Sequence, residues 1–105
     1  MDIDLALTGL SSDTAIKMQQ VFSSYPEIEH VYLYGSRAKG NFQKGSDIDL
    51  SIVSDTLNYS QLVKIENDLD DLLLPYKIDL SLFQKIENED LLNHIQRVGV
   101  VFYHK

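Results

Sequence analysis

The 105-residue sequence lacks cysteine and tryptophan and has only two prolines. Without cysteine, a disulfide framework and a thiolate zinc site are both excluded. No apolar run approaches the roughly 20 residues of a membrane-spanning helix. The acidic start, residues 1–5, also lacks the basic region and the long apolar stretch of a signal peptide. We therefore expect a cytoplasmic protein that has no membrane partner.

Basic residues are also scarce. Nine lysines and arginines stand against 16 acidic residues, for a net charge of −7. Contacts from Lys and Arg to phosphates supply most non-specific affinity for nucleic acids, so we do not expect a long RNA or DNA substrate. An acidic surface favours solubility or a basic partner. The length predicts one domain over residues 1–105, with little surface left for a second substrate-binding lobe.

Apolar spacing predicts alternating helices and strands. Asn58 and Gln61 have the spacing of a capping box before an apolar stripe, Pro75 should stop that helix, and Gly99 should stop the last one. A polar, glycine-containing loop is expected over 35–46. The predicted helices are 12–24, 59–74 and 88–98, and the predicted strands are 31–34, 47–53, 77–83 and 100–103. This order indicates an α/β (α+β) fold, a small mixed sheet with helices packed on it.

Three aspartates fall on the polar faces of two predicted strands. Asp47 and Asp49 lie two residues apart, so their side chains project to the same side, with Cα atoms roughly 6.6 Å apart. Asp79 has the same parity on the strand over 77–83. If these strands are neighbours, three carboxylates come together, and two such charges about 5 Å apart repel by roughly 3 kcal/mol at an effective dielectric near 20. Clustered hard oxygen ligands suit magnesium, which shares its shell with substrate phosphates.

The loop before these carboxylates has the composition of a phosphate-binding turn. Gly35 follows an apolar strand, where the missing Cβ lets backbone N–H groups approach an anion. Ser36 adds a hydroxyl, and Arg37 and Lys39 add positive charge suited to phosphate. Taken singly, each feature is ordinary: Gly-Ser is usually a turn, and Asp-x-Asp is usually a solvated strand face. Their order, spacing and strand parity together favour a site for a metal-bound nucleoside triphosphate.

The histidines offer no alternative metal site. His30, His94 and His104 have no spacing for shared ligation. We expect His30 at the start of a strand and the other two at the surface. Tyr32 and Tyr34 are expected in the core or at a partner contact.

This segment resembles the signature of the polymerase beta nucleotidyltransferase superfamily. Gly35-Ser36 followed by Ser46-Asp-Ile-Asp-Leu50 matches its two-part motif, and Gly40 lies where many members have a second glycine. Tyr76-Lys-Ile-Asp-Leu80 is similar to the later strand that carries the third carboxylate. The resemblance covers nearly the whole chain.

The resemblance also implies roles for individual residues. Asp47, Asp49 and Asp79 would be the catalytic carboxylates and the ligands of Mg²⁺, with two ions expected; Asp79 could instead act as base toward the attacking hydroxyl. Gly35 and Ser36 would hold the β- and γ-phosphates of ATP. Arg37 and Ser46 would lie at the nucleotide.

At this length the chain is similar to the minimal branch of the superfamily, which lacks an acceptor domain. Members of that branch are antitoxins paired with a helical HEPN-type toxin, and they add AMP to a tyrosine of that ribonuclease. The resemblance therefore implies a protein adenylyltransferase and a HEPN-type partner. Two alternatives stay open: a non-catalytic module that masks its partner, and the catalytic subunit of a small-molecule (aminoglycoside-type) nucleotidyltransferase.

Overall fold

The computed structural model describes residues 5–105, so the expectation about the acidic start falls partly outside the described residues at 1–4. The described range contains two short 3-10 helices, four α-helices and four strands. In chain order these elements are the 3-10 helix Leu5–Thr8, α1 Ser12–Ser23, β1 His30–Tyr34, α2 Gly35–Lys39, β2 Ile48–Val53, α3 Tyr59–Asp70, β3 Ile78–Leu82, the 3-10 helix Phe83–Lys85, α4 Glu89–Val98 and β4 Val100–His104. Within the described range, no helix is both long and apolar enough to cross a bilayer.

The four strands form one mixed sheet in the order β3-β2-β1-β4. β1 is antiparallel to both of its neighbours, whereas β2 and β3 are parallel. A parallel pair needs a crossover connection, and α3 supplies it. The predicted small mixed sheet with helices packed on it is confirmed. Because β2 and β3 are neighbours, the polar faces of the two aspartate-bearing strands lie side by side.

The core lies between one face of the sheet and the helices α1 and α3. The predicted alternation of β2 is confirmed, because Ile48, Leu50 and Ile52 are fully buried. A Phe22–Phe102 edge-to-face ring contact joins α1 to β4. The buried apolar residues of the core are Leu10, Ala15, Met18, Phe22, Tyr25, Ile28, Val31, Leu33, Ile48, Leu50, Ile52, Leu57, Leu62, Ile65, Leu69, Leu82 and Phe102. The opposite face of β2 and β3 carries the polar residues.

Helix boundaries follow the capping residues. The Asn58–Gln61 capping box is present at α3, and Asn88 caps α4. α1 is capped by Ser11, directly before the predicted helix over 12–24. The prediction that α3 extends to residue 74 is wrong: the helix ends at Asp70 and tightens into three-residue turns before Pro75. Leu73, inside the predicted helix over 59–74, is therefore 88% exposed and has a φ of 55°.

The predicted loop over 35–46 contains a helix that the sequence analysis did not anticipate. α2 begins directly at Gly35 and ends at Lys39, and Gly40 caps it with a φ of 83° that suits only glycine well. The amides of Gly40 and Asn41 both donate to the Ser36 carbonyl, which closes the turn. The first half of the loop is therefore a rigid structure between β1 and β2.

The α3 cap should contribute measurably to stability. In Asn58→Ala the Gln61 amide loses its side-chain acceptor, and we expect the free energy of unfolding to fall by about 1 kcal/mol. Urea unfolding followed by circular dichroism measures this. Asn67→Ala, an exposed asparagine inside the same helix, is the matched control and should cause no loss. Equal losses in both variants would contradict the capping role.

Candidate active site

The three predicted carboxylates meet at one end of the sheet. Asp49 on β2 pairs directly with Asp79 on β3 in the parallel register. The amide of Ile48 donates to the Lys77 carbonyl at 2.9 Å, which aligns the beginnings of the two strands. Asp47 lies just before β2 and is exposed. Side chains paired across neighbouring strands lie on the same face of a sheet, so the arrangement expected from strand parity is present for Asp49 and Asp79. Asp47, expected on the strand over 47–53, instead directly precedes it.

Asp49 is the carboxylate most affected by its surroundings. It is half-buried, whereas Asp79 and Asp47 are exposed. Burial raises the pKa of Asp49 above its ordinary value, and the negative charges of Asp79 and Asp47 raise it further, while His94 lowers it. Ionised Asp49 is therefore held in an unfavourable environment. A bound cation would remove that penalty.

The donor set fits magnesium that is shared with a substrate. As the side chains lie, no three His, Asp or Glu groups in residues 5–105 form a complete metal site. Magnesium in phosphate-processing sites is usually held by one or two carboxylates, with water and substrate phosphates completing its octahedron. Asp47, Asp49 and Asp79 supply oxygen ligands of this kind at a point of accumulated negative charge. These residues fit an ion that arrives with a triphosphate.

The backbone of Gly35 lies against the carboxylate of Asp49. Its φ is +76°, and a Cβ at this position would lie 2.3 Å from Asp49 Oδ2. Glycine is required here both by the backbone conformation and by the close approach of Asp49. Ser36 is half-buried. Its carbonyl accepts from Gly40 and Asn41, while its hydroxyl remains without a hydrogen bond inside the described range.

The structure turns Arg37 into the protein. Its side chain is 2% exposed. Nε and Nη2 donate to the Ser46 carbonyl at 3.1 and 3.0 Å, and Nη1 donates to the Thr8 carbonyl at 2.8 Å. The rings of Phe42 and Tyr76 lie 5.1 and 4.8 Å from the guanidinium carbon. The guanidinium is covered by these groups, so it holds the loop together from inside the protein; that Arg37 lies near the nucleotide stays a prediction.

Ser46 also has a role inside the loop. Its hydroxyl accepts from the Gln43 amide at 2.9 Å, and its carbonyl is held by Arg37. These contacts fix the residue directly before Asp47. They therefore hold Asp47 and the start of β2 in place. Lys39 is exposed at the end of α2.

His94 is a site residue that the sequence analysis missed. It is half-buried, so the expectation of a surface position is wrong. Its Nε2 accepts from the Gly35 amide at 3.1 Å. The available signal was helical spacing: His94 lies three residues after Leu91 and four before Val98, on the apolar side of α4. His104 is exposed and His30 begins β1, as expected.

Tyr34 completes the surroundings of Asp49. It pairs with Asp49 across β1 and β2 and is buried. Its ring lies edge-on to the His94 ring, with centroids 6.1 Å apart. Burial raises the pKa of Tyr34, as do the charges of Asp79 and Asp49, whereas the Ser81 hydroxyl lowers it. Tyr34 therefore stays protonated beside the carboxylates.

Two comparisons of the sequence with known proteins give matches over most of the chain. The sequence profile described as "Polymerase beta, Nucleotidyltransferase" matches residues 16–105. A "Probable protein adenylyltransferase MntA" of Haemophilus influenzae is 33% identical over 89 residues, which is 84% of this chain and 74% of that protein.

Solved structures show the same fold. A chain from a toxin–antitoxin crystal structure with AMP-PNP superposes with a TM-score of 0.68 at 23% identity, covering 91% of this chain and 75% of that one. A second match is a structure of tri-AMPylated Shewanella oneidensis HEPN toxin in complex with MNT antitoxin. Its TM-score is 0.67 at 18% identity, with 91% of this chain and 74% of that one covered.

The contact between Gly35 and Asp49 can be tested with a pair of glycines. Gly35→Ala places a methyl group against Asp49, whereas Gly45→Ala introduces the same kind of backbone strain at a φ of +86° with no atom within 4 Å. Both variants should lose about 1–2 kcal/mol of stability. Only Gly35→Ala should also weaken binding of Mg²⁺ with a nucleoside triphosphate, roughly tenfold to a hundredfold, because it displaces a ligand. Titration calorimetry measures the affinity, and equal affinities would contradict the assigned contact.

The raised pKa of Asp49 predicts a stability gain when its charge is removed. An acid whose pKa is raised by folding binds its proton more tightly in the folded state, so the free energy of unfolding falls as pH rises through that pKa. In metal-free buffer, Asp49→Asn should therefore melt at a higher temperature than the wild type at neutral pH. The gain should vanish as pH falls below the ordinary value of 3.8. Asp55→Asn, an exposed carboxylate just after β2, should show no such gain; a similar gain there would mean that general charge repulsion is responsible.

Proposed function

This chain belongs to the polymerase beta nucleotidyltransferase family, and from that premise we propose that it is a magnesium-dependent protein adenylyltransferase. It moves AMP from ATP to a tyrosine of a HEPN-type toxin and thereby acts as an antitoxin. The observation that carries the proposal is the pairing of Asp49 with Asp79 beside the Gly35 turn. That arrangement joins hard cation ligands to a backbone turn that an anion can approach.

Asp47 and Asp49 are the proposed magnesium ligands. Asp47 directly precedes β2, and Asp49 is the second residue of this strand. The hydrogen bonds of Ser46 hold the start of β2 in place. Bound magnesium supplies charge neutralisation and polarisation of the phosphate oxygens. The half-buried position of Asp49 limits its exposure to water and keeps its orientation constant, because Gly35 and Tyr34 lie against it.

Gly35 and Ser36 are the proposed phosphate-holding residues. The Ser36 hydroxyl, which makes no hydrogen bond in the described part of the chain, can donate to a phosphate oxygen. The amides at the start of α2 lie beside it. Arg37 acts from behind this turn: it fixes the Ser46 carbonyl and so joins the phosphate turn to the first metal-binding carboxylate.

Asp79 is the proposed base. It lies on β3, the edge strand of the sheet, and it is exposed, so it faces an incoming acceptor more directly than Asp49 does. The tyrosine oxygen of the acceptor forms a bond to the α-phosphorus, and the bond from that phosphorus to the bridging oxygen of the β-phosphate breaks. The tyrosine proton passes to Asp79, and pyrophosphate leaves. The products are an O-AMP tyrosine and pyrophosphate.

The choice of a protein acceptor has three supports. The Haemophilus influenzae relative is named as a probable protein adenylyltransferase, and one structural neighbour is bound to an AMPylated HEPN toxin. The net charge of −7 suits a basic partner. A toxin of this type would approach the end of the sheet where Asp47 and Asp79 are exposed.

The decisive measurement is the intact mass of the HEPN-type protein encoded beside this chain, after incubation with the chain and Mg-ATP. We expect a gain of one or more AMP units on tyrosine. The gain should be lost with Asp47→Asn/Asp49→Asn, because the magnesium ligands are gone, and it should persist with Asp55→Asn as the matched control.

Two other results would overturn the proposal. A stable complex that binds ATP without any mass gain, and in which the double variant still neutralises the toxin, would identify a masking module. Transfer of AMP to an aminoglycoside by the reconstituted pair, with the partner protein unmodified, would identify a small-molecule enzyme.

A further inference from the structure

One hydrogen bond links α4 to the proposed phosphate turn. The Gly35 amide donates to His94 Nε2 at 3.1 Å. Since Nε2 accepts this hydrogen bond, a neutral His94 carries its proton on Nδ1. The amide of the very glycine that begins the turn is therefore already occupied by a side chain from a different element.

His94 and Asp49 contact Gly35 from different directions. Asp49 lies against the Cα position, where a Cβ would come within 2.3 Å of its carboxylate. His94 holds the amide, and its ring also lies edge-on to Tyr34, the residue before Gly35. The backbone at Gly35 has a φ of +76°. Glycine adopts positive and negative φ about equally readily, so the residue itself does not hold this conformation. These contacts restrict it to one conformation.

We propose that His94 is a positioning residue for nucleotide binding. By accepting a hydrogen bond from the Gly35 amide, His94 holds the turn so that Ser36 and the start of α2 face the triphosphate. The same hydrogen bond keeps Gly35 against Asp49. This inference rests on the proposed role of the Gly35–Ser36 turn in holding phosphates. It adds that the Gly35 amide shapes the turn, so the phosphate contacts fall to Ser36 and the start of α2, and that α4 contributes to nucleotide affinity without contacting the nucleotide.

A purely structural role for His94 makes a different prediction. If the ring only fills space between α4 and Tyr34, an aromatic replacement should preserve function. If the hydrogen bond matters, the replacement must present an acceptor where Nε2 lies. Glutamine can place a side-chain oxygen near that position, whereas phenylalanine keeps the ring and loses the acceptor.

The experiment compares His94→Gln and His94→Phe, with His104→Phe as the matched control because His104 is exposed on β4. Calorimetry measures the Kd of each protein for ATP in the presence of Mg²⁺, and thermal unfolding reports stability. Loss of one hydrogen bond should raise the Kd of His94→Phe about 5- to 10-fold. His94→Gln should stay near the wild-type Kd, and His104→Phe should be unchanged. In the transfer assay, His94→Phe should raise KM for ATP more than it lowers kcat.

Each outcome is decisive. Wild-type affinity in His94→Phe, or equal losses in His94→Phe and His94→Gln, would overturn the positioning role while leaving the proposed function intact. A wild-type protein that does not bind ATP would overturn the proposed function, and this inference with it. Nitrogen-15 spectra of the wild type at about pH 8, where histidine is ordinarily neutral, should show His94 protonated at Nδ1; protonation at Nε2 would also overturn the inference.

Discussion

The parallel pairing of β2 with β3 is the constraint on which the site depends. It places Asp49 directly opposite Asp79, and Asp47 lies directly before the first residue of β2. Neighbouring carboxylates destabilise one another, and burial raises the pKa of Asp49 further. The fold holds them together because the hydrophobic face of β2 is fully buried, with Ile48, Leu50 and Ile52 in the core. A one-residue shift of β2 would expose those three residues, so core packing enforces the arrangement of the polar face.

The buried side chain of Arg37 organises the loop beside the carboxylates. Its guanidinium contacts the rings of Phe42 and Tyr76 and donates to two backbone carbonyls. Burial of an arginine is costly unless its donors are satisfied, and here carbonyls and aromatic faces provide that compensation. The same contacts connect the N-terminal 3-10 helix, the loop before β2 and the segment before β3. The positive charge therefore stabilises the position of the loop, and the negative charges remain on the open face for a ligand.

Much of this arrangement could be predicted from short-range patterns. The alternation over 47–53 and 77–83 assigns the aspartates to one face, and the Asn58–Gln61 spacing predicts the start of α3. The Gly-Ser and Asp-x-Asp motif also predicts the family, which the match over residues 16–105 confirms. The surroundings of two residues could not be predicted. His94 was expected at the surface, but it contacts Gly35 and Tyr34, which lie far away in the sequence. The burial of Arg37 was not anticipated, because it depends in part on Thr8 and Tyr76, on other segments.

By itself, the sequence determined which residue types carry the chemistry and on which side of each strand they lie, because side-chain direction along a strand has a period of two. It also determined the start of α3, because its capping box is satisfied within three residues. Only the tertiary structure decided that β2 and β3 are parallel neighbours, that Arg37 turns inward, and that His94 reaches Gly35. These contacts join residues from 9 positions apart, for Arg37 and Ser46, to 59 apart, for Gly35 and His94. Their geometry depends on how the sheet and helices pack, which no local pattern encodes.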